Sequence, residues 1–504
     1  MKVVRLAGLI ALACLIVLLP ACGDYYRPVA NPVTPTQPNP AFSHVAIVLS
    51  VNGITNPGAS TTVDVSGDTA ISQSQVGLRP VHAALVQNAT RLYVANSVDN
   101  SVSVFADAAA TPVTTVSLPQ QVVSNVAISS ATQSAASTTY TYTLTSGAAL
   151  QIGMKVIITS MQDAADNGVF SITAVGAGTF TVANSFGVSA ANQSASGVVG
   201  SMPTFVASTE TATVYVASAV GDNSSGSVFA IATTSNAVTN TILAVGINPV
   251  GMAELPNGQK LYVADQGSSA SNGSVVSINT IDKSVNPAIS NPWISPIWIT
   301  SRSDGQRIYV LDQGAGTVTA INTASDTVVG TVSVGVGADF MLYDPKLNRV
   351  YVTNPVAGTL TSLDASSDTL TATGLPVANA ISLAALPDGT RVYVSSAAVS
   401  GSTVTGSVTV LNAANLSLKT KVSLQSVPVG SVCAAKTFYE LPIAAAADSS
   451  RIYVGNCDAG NTTIITTSTD TALLTMPAPL SAQPPSSPGG TPPPQNPVFL
   501  LAGP

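Results

Sequence analysis

Charge is what this chain has least of. Only 8% of its 504 residues are charged, with 17 Lys and Arg against 24 Asp and Glu, and Glu210, Glu254 and Glu440 are its glutamates. No basic stripe exists to neutralise phosphates, which argues against a nucleic-acid partner held by a general electrostatic route. Histidine is scarcer still, at His44 and His82, so a general base with an orienting partner, or a histidine metal site, has few candidates. With 46% hydrophobic residues and so little charge, the surface must be covered largely by Ser, Thr, Asn and Gly. That composition suits exposed β-structure. The preference for Asp over Glu suits turns, where a short carboxylate bonds nearby backbone N–H groups.

Cysteine is also rare, and its four copies divide by position. Cys14 lies in an apolar run, Leu6 to Leu19, which follows a positive segment, Met1 to Arg5. The run is short for a membrane span, so residues 1–21 read as an export signal. It ends Leu19-Pro20-Ala21-Cys22, which resembles the bacterial lipoprotein lipobox, with Pro20 a tolerated departure. The resemblance implies that Cys22 becomes the lipidated first residue of the mature protein; an ordinary signal peptide with an incidental cysteine is the alternative. Gly23 stands where the inner-membrane retention signal has Asp, which points to the outer membrane of a bacterial cell envelope, on its periplasmic or surface face. Prolines at 28, 32, 35, 38 and 40 make residues 22–41 an extended, semi-rigid tether. Cys433 and Cys457 remain, and an even pair in an oxidising compartment is most simply a disulfide.

What the chain has in abundance is one short unit. RLYV, KLYV, RIYV and RVYV place tyrosines at 93, 215, 262, 309, 351, 393 and 453, all but Tyr215 with Arg or Lys two residues earlier. The steps between them are 122, 47, 47, 42, 42 and 60. A period in the forties built of short alternating apolar segments and turn residues is the signature of a β-propeller. A second window, TTVDVSGDT at 61–69, aligns without gaps to 319–327, 361–369 and 463–471, and each copy ends a strand in a turn closed by Asp-Thr. The full unit is therefore four antiparallel strands joined by tight turns. With YVTN itself at Tyr351–Asn354, and YVAN, YVAS, YVAD, YVLD, YVSS and YVGN elsewhere, the chain resembles the YVTN-repeat β-propeller family over roughly residues 42 to 476. The resemblance implies the fold and leaves activity open, because propellers host many functions.

The motif undercounts the ring. Seven Tyr-Val strands suggest seven blades, but the third-and-fourth-strand unit occurs eight times. NPVFLLAGP at 496–504 resembles the first-strand segment NPVGMAELP at 248–256. Eight blades are expected, with seven the alternative. The closing blade would take three strands from the N-terminal end and one from 496–504, which removes an exposed sheet edge. The expected layout is a first part of the propeller at 42–119, an inserted small β domain at 120–200, a second part at 201–476, a Pro-rich linker at 477–495 and the closing strand. The insertion contains TYTYTLT, MKVIIT, GVFSITAV and GTFTVAN, and is expected to protrude as an independent module. The last repeat is stretched by Ser426 to Pro442, so a Cys433–Cys457 bridge would pin that long loop to its blade.

Two sets of residues could carry function. Asn96, Ser218, Asp265, Asp312, Asn354, Ser396 and Asn456 each stand three places after an anchor tyrosine; they could ring a cation, but small polar groups at a strand end more simply cap a turn. The first strand of each blade lines the channel, and at one position along it stand His82, Phe205, Gly251, Trp298, Phe340, Ala444 and Phe499, with Asp339 as the acid one place earlier. His82, Phe205, Trp298, Asp339 and Phe340 are the candidates for ligand contact at the channel mouth. The expected function is a binding or scaffolding module at the envelope, with an envelope protein or glycan as partner, no catalysis, no cofactor and no metal. The competing readings are a lactonase-like hydrolase working in the channel, the activity of propellers distantly similar to this repeat family, and a purely structural envelope protein.

Overall fold

The structure, a computed structural model, describes residues 44–504 apart from 87–89, 107–110, 209–211, 222, 269–270, 435–438, 482–491 and 504. The export signal, Cys22 and the tether lie outside the described residues, as does most of the Pro-rich linker. The rest is nearly all β and forms a propeller.

Eight sheets make up the ring. Their innermost strands are Asn496–Gly503 in blade 1, Pro80–Val86 in blade 2, the C-terminal half of Ala195–Ala207 in blade 3 and Pro249–Glu254 in blade 4. Pro296–Ser301, Phe340–Asp344, Ala380–Ala385 and Ile443–Ala445 follow in blades 5 to 8. Each packs on the next, and Asn496–Gly503 packs on both Ile443–Ala445 and Pro80–Val86, so the circuit closes at eight. Seven blades carry the Tyr-Val strand, while blade 1 is assembled from both ends as 69–78, 56–64, 45–52 and 496–503 in spatial order. Ile47, opposite Leu501, occupies the tyrosine's place there. Blade 4 has three strands, and an irregular segment runs where its fourth would be, anchored by buried Trp293, whose indole N–H donates to the Ile289 carbonyl at 2.9 Å.

The Arg-x-Tyr-Val unit and the Asp-Thr turn meet across blades. The anchor tyrosines are all buried to 1% exposure or less. Burying a phenol is costly unless its hydroxyl finds a partner, and the partner sits in the next blade, at the one left-handed residue of the turn between strands three and four. Tyr309 donates to Asp368 at 2.7 Å and Tyr262 to Asp326 at 2.5 Å; Tyr393 donates to Asp470 and Tyr93 to Asn236. The preceding base binds the same turn: Arg307 to Asp368, Lys260 to Asp326 and Arg391 to Asp470. These turn residues have φ between 51° and 57° in Asp68, Asn236, Asp326, Asp368 and Asp470, a conformation that Asp and Asn tolerate better than other non-glycine residues. Blades 3 and 6 depart from this. In blade 3 Thr213 replaces the base, and the facing turn carries Lys283, whose ammonium donates to Tyr215 at 2.8 Å; facing blade 6 the left-handed residue is Leu416, and Arg349 and Tyr351 donate to the Ala413 carbonyl instead. The ring is sealed by Arg451 of blade 8, which grips Asp68 of blade 1 at 2.8–3.0 Å across 383 residues of sequence.

The insertion closes on itself. Its strands 122–134, 137–147, 155–159, 168–176 and 179–183 run antiparallel with 195–207, which pairs with both 122–134 and 155–159, giving a six-stranded barrel with Tyr140, Phe180, Val156 and Ile172 in its core. Instead of standing free, it is continuous with the propeller: Ala195–Ala207 leaves the barrel as the innermost strand of blade 3. Ile157 of the barrel packs with Met202 and with Ile54 from a loop of blade 1, next to Val98 of blade 2. Apolar loop tips on the propeller face explain the docking, because burying them removes apolar surface from water. Cys433 and Cys457 are bonded, with Cα atoms 5.8 Å apart, and the Asn496 amide donates to the Cys457 carbonyl at 3.0 Å, so the bridge also abuts the closing strand.

Candidate functional site

The inner strands share a local distortion that aims side chains into the channel. Pairing with the Tyr-Val strand slips by one residue between Pro80 and His82, Pro203 and Phe205, Pro249 and Gly251, and Pro296 and Trp298. Proline supplies no N–H to the ladder, so a bulge at this point costs no hydrogen bond that proline could have donated. The slip turns the following residue toward the bore. Register places His82, Phe205, Gly251, Trp298, Phe340, Ser382 and Phe499 at this position. In blade 8 the position belongs to Pro442, whose carbonyl accepts from Gly455, and not to Ala444, which pairs with Tyr453 two residues deeper. The stretched loop before blade 8 hides that register in the sequence. Ser382 was missed because blade 7 has no proline two places before it.

Five of these side chains form one continuous aromatic arc. Phe499 lies 4.5 Å from His82, His82 stacks on Phe205 at 3.7 Å, Phe205 meets Trp298 edge-on at 5.8 Å, and Trp298 lies 4.9 Å from Phe340, all between ring centroids. The Phe205–Trp298 contact skips blade 4, and the reason is Gly251. A Cβ there would come within 2.9 Å of the Ile297 carbonyl and 3.3 Å of the Trp298 Cα, so a side chain would break the arc. The remaining places, Gly251, Ser382 and Pro442, are small, and the last two leave one side of the bore without rings. His82 Nδ1 accepts from the Val206 N–H at 3.3 Å, which orients the imidazole and leaves its proton on Nε2.

Asp339 occupies the bulge position before Phe340, where other blades have Val81, Thr204, Val250 and Ile297. Gln313 Nε2 donates to its carboxylate at 3.1 Å. The structure therefore brings His82, Phe205, Trp298 and Phe340 together and sets Asp339 beside them, tied to an amide. Among the described residues, no group of three or more His, Cys, Asp and Glu is placed to hold a metal ion.

Four of the small polar residues after the tyrosines clamp the connection entering their own blade. Asp312 accepts from the N–H groups of Ile294, Ser295 and Ala315 at 2.8, 2.9 and 3.0 Å. Asn354 donates to the carbonyls of Val334, Gly335 and Val336, and Asn96 accepts from Gly77. Asp265 does the same with the Ser274 hydroxyl, and burial pushes its carboxyl up to about 6 against those bonds. Asn96, Asp265, Asp312 and Asn354 are consumed in fixing loops, Asn456 donates to Asn461 and Thr463 of its own third strand, and the Ser218 and Ser396 hydroxyls have no partner among the described residues.

The barrel also contacts the propeller at the entry to blade 4. Arg79 and Asn248 hold equivalent places in blades 2 and 4, directly before the first-strand proline, and both have left-handed backbone, φ 53° and 59°. Lys155 comes down from the barrel and its Nζ donates to Asn248 Oδ1 at 2.7 Å; Asn248 in turn donates to Gln266 Oε1 at 3.0 Å. Glu440, at the entry to blade 8, acts electrostatically on Arg79. Burial holds Lys155 down to about 8, with the Arg79 charge adding to the effect. Neither cation was legible as a site residue, because nothing in the sequence says that the barrel covers this face.

No protein-family model and no curated protein matches the chain. Among solved structures, it is similar to dihydro-heme d1 dehydrogenase NirN in complex with DHE, at TM-score 0.51 and 9% identity, over 88% of this chain and 75% of that one. It is also similar to Kuenenia stuttgartiensis hydrazine synthase, at TM-score 0.46 and 16% identity, over 78% and 96% of the two chains. A candidate 6-phosphogluconolactonase from Bacteroides fragilis NCTC 9343 gives TM-score 0.46 and 14% identity, over 78% and 98%. At these identities the NirN likeness speaks to the fold alone.

Proposed function

We propose that this chain is an exported, lipid-anchored β-propeller that acts as a binding or scaffolding module at the bacterial cell envelope and takes its ligand at the aromatic arc in the bore, without catalysis. The observation that supports it is the continuous run Phe499–His82–Phe205–Trp298–Phe340, with small residues at the next two blade positions. Aromatic faces offer large apolar contact at little entropic cost, and sites of this kind are mostly apolar with a few placed polar groups. Asp339 is the acid in the bore, and its amide partner does not orient a general base in the way hydrolysis requires. The anchor rests on the Leu19–Cys22 lipobox and the tether that follows.

The test is capture of an envelope protein or glycan from membrane extracts by wild type and by the His82→Ala, Phe205→Ala, Trp298→Ala triple variant. The arc reading expects one specific partner lost in the variant. Equal capture by both would sink it, and no capture by either would favour a purely structural protein. Lactone hydrolysis abolished by Asp339→Asn would favour the hydrolase instead. For the anchor, labelled palmitate enters wild type and not Cys22→Ala; equal labelling overturns lipidation.

A further inference from the structure

We infer that the ring carries a second binding site, a groove on its outer side between blades 4 and 5 that takes a neutral oligosaccharide. It is independent of the aromatic arc, since no inner strand lines it. The groove exists because blade 4 lacks a regular fourth strand. In blade 5 the fourth strand lies against the turn of blade 6, so that a Cβ on Gly330 would stand 3.9 Å from the Asp368 Cβ. The matching place in blade 4, again four residues after the left-handed turn residue, is Pro287, which has no N–H for the ladder. The chain keeps the Asn286 N–H on the Ser277 carbonyl at 2.8 Å and the Ile289 N–H on the Val275 carbonyl at 2.9 Å. Three steps on this side answer two on the other, so Pro287 and Ala288 bow away. The space between this bow and Asp326 of blade 5 is about 750 Å³, within the range of about 300–1,000 Å³ usual for small-ligand sites.

The wall of the groove is electrically neutral and held in place. Lys260 and Asp326 are the charged side chains that line it, and they pair at 2.9 Å. An anion would meet Asp326 and a cation Lys260, so neither is favoured. Asp326 also accepts from the Ser277 hydroxyl at 2.8 Å, which itself accepts from the Asn286 amide at 2.8 Å, and Lys260 donates to the Thr323 carbonyl at 2.8 Å. What stays unused is a mixture of donors and acceptors. The Asn279 oxygen accepts from the Ile281 N–H at 2.9 Å, which leaves its NH2 without a protein partner among the described residues, as is the whole side-chain amide of Gln259. A hydroxyl both donates and accepts, so a polyol satisfies both kinds of group. Pro287, Ile289 and Ile281 add apolar surface for the C–H face of a pyranose ring. Ile281 is 83% exposed, and covering it removes apolar area from water.

The test is isothermal titration of the full chain with maltotetraose, cellotetraose, mannotetraose and chitotetraose, and with tetragalacturonate as the anionic comparison. We expect at least one neutral tetrasaccharide to bind, and tetragalacturonate to bind no better. That sugar should bind about tenfold more weakly to Ala288→Trp, which fills the groove without removing a hydrogen bond. It should bind about fivefold more weakly to Asn279→Asp, which keeps an oxygen for the Ile281 N–H and loses the free NH2. Ala288 is exposed and the Asn279 turn bond is preserved, so both variants should melt with the parent; if Ala288→Trp melts lower, Asn279→Asp decides. Equal binding by parent and variants, no binding of any neutral probe, or preference for tetragalacturonate would each overturn the inference. A protein captured from membrane extracts by the parent and lost in Ala288→Trp, with no sugar bound, would assign the groove to a peptide loop instead.

Discussion

The tyrosine hydroxyls form a graded series in which fold, sequence and environment vary one at a time. Tyr309 bonds Asp368, whereas Tyr453 has no hydrogen-bond partner among the described residues, because Arg451 takes Asp68 with both nitrogens on one edge. Tyr309→Phe should therefore cost about 1 kcal/mol in denaturant unfolding, and Tyr453→Phe should be near neutral. Equal losses would show that the ring's packing, not the hydroxyl, carries the effect. Blade 3 allows the complementary test. Thr213→Arg places a second cation by Lys283 and should destabilise, while adding Lys283→Asp to it should recover the loss, giving a coupling of about 1 kcal/mol or more in a double-mutant cycle. Additive single effects would refute the cross-blade lock.

The closing strand and the disulfide act together. Asn496–Gly503 pairs with Val45 through Val51 and supplies Phe499 to the arc. Deleting 496–504 should lower the melting temperature by many degrees and shift the Trp298 emission, since it opens the ring and strips the first aromatic. An unchanged melting temperature would return the ring to seven self-sufficient blades. Replacing both Cys433 and Cys457 by Ala frees a loop of 24 residues and should cost about 2–4 kcal/mol relative to the oxidised wild type, with the reduced wild type expected to match the variant. The barrel is separable in principle, because Gln121 and Ser201 are already hydrogen-bonded to each other at 2.9 Å. A short linker in place of 122–200 should leave the propeller folded and expose Ile54 and Met202, read as a retained unfolding transition with increased binding of an apolar dye.

Across the whole protein, pH reports on the barrel's contact with blade 4. Lys155 titrates at about 8 when folded against 10.5 as a free side chain, so between these values the unfolded chain binds more protons. Stability contributed by this group is lowest at and below pH 8 and rises toward pH 10.5. Burial is the larger cause, and the Arg79 charge adds to it. Denaturation midpoints of wild type should rise from pH 8 to 10 relative to Lys155→Met; parallel profiles would place Lys155 in contact with water or with a counter-charge.

The blade count, the split closing blade and the arc residues His82, Phe205, Trp298 and Phe340 were legible in the residues, because they follow from local periodicity: alternation for strands, Asp-Thr and Asp-Gly for turns, and in most blades proline for the inner-strand bulge; the disulfide was legible from an even cysteine pair. What was not legible was contact between elements with no common period. That tyrosine and base reach the next blade's Asp, that Pro442 and not Ala444 faces the bore, that Gly251 lets Phe205 touch Trp298, and that the barrel lowers Lys155 beside Arg79 all depend on how the ring closes and where the insertion docks. Local chemistry sets which strands and turns form; only the assembled ring decides which of their side chains share one space, and a binding site is a property of that shared space.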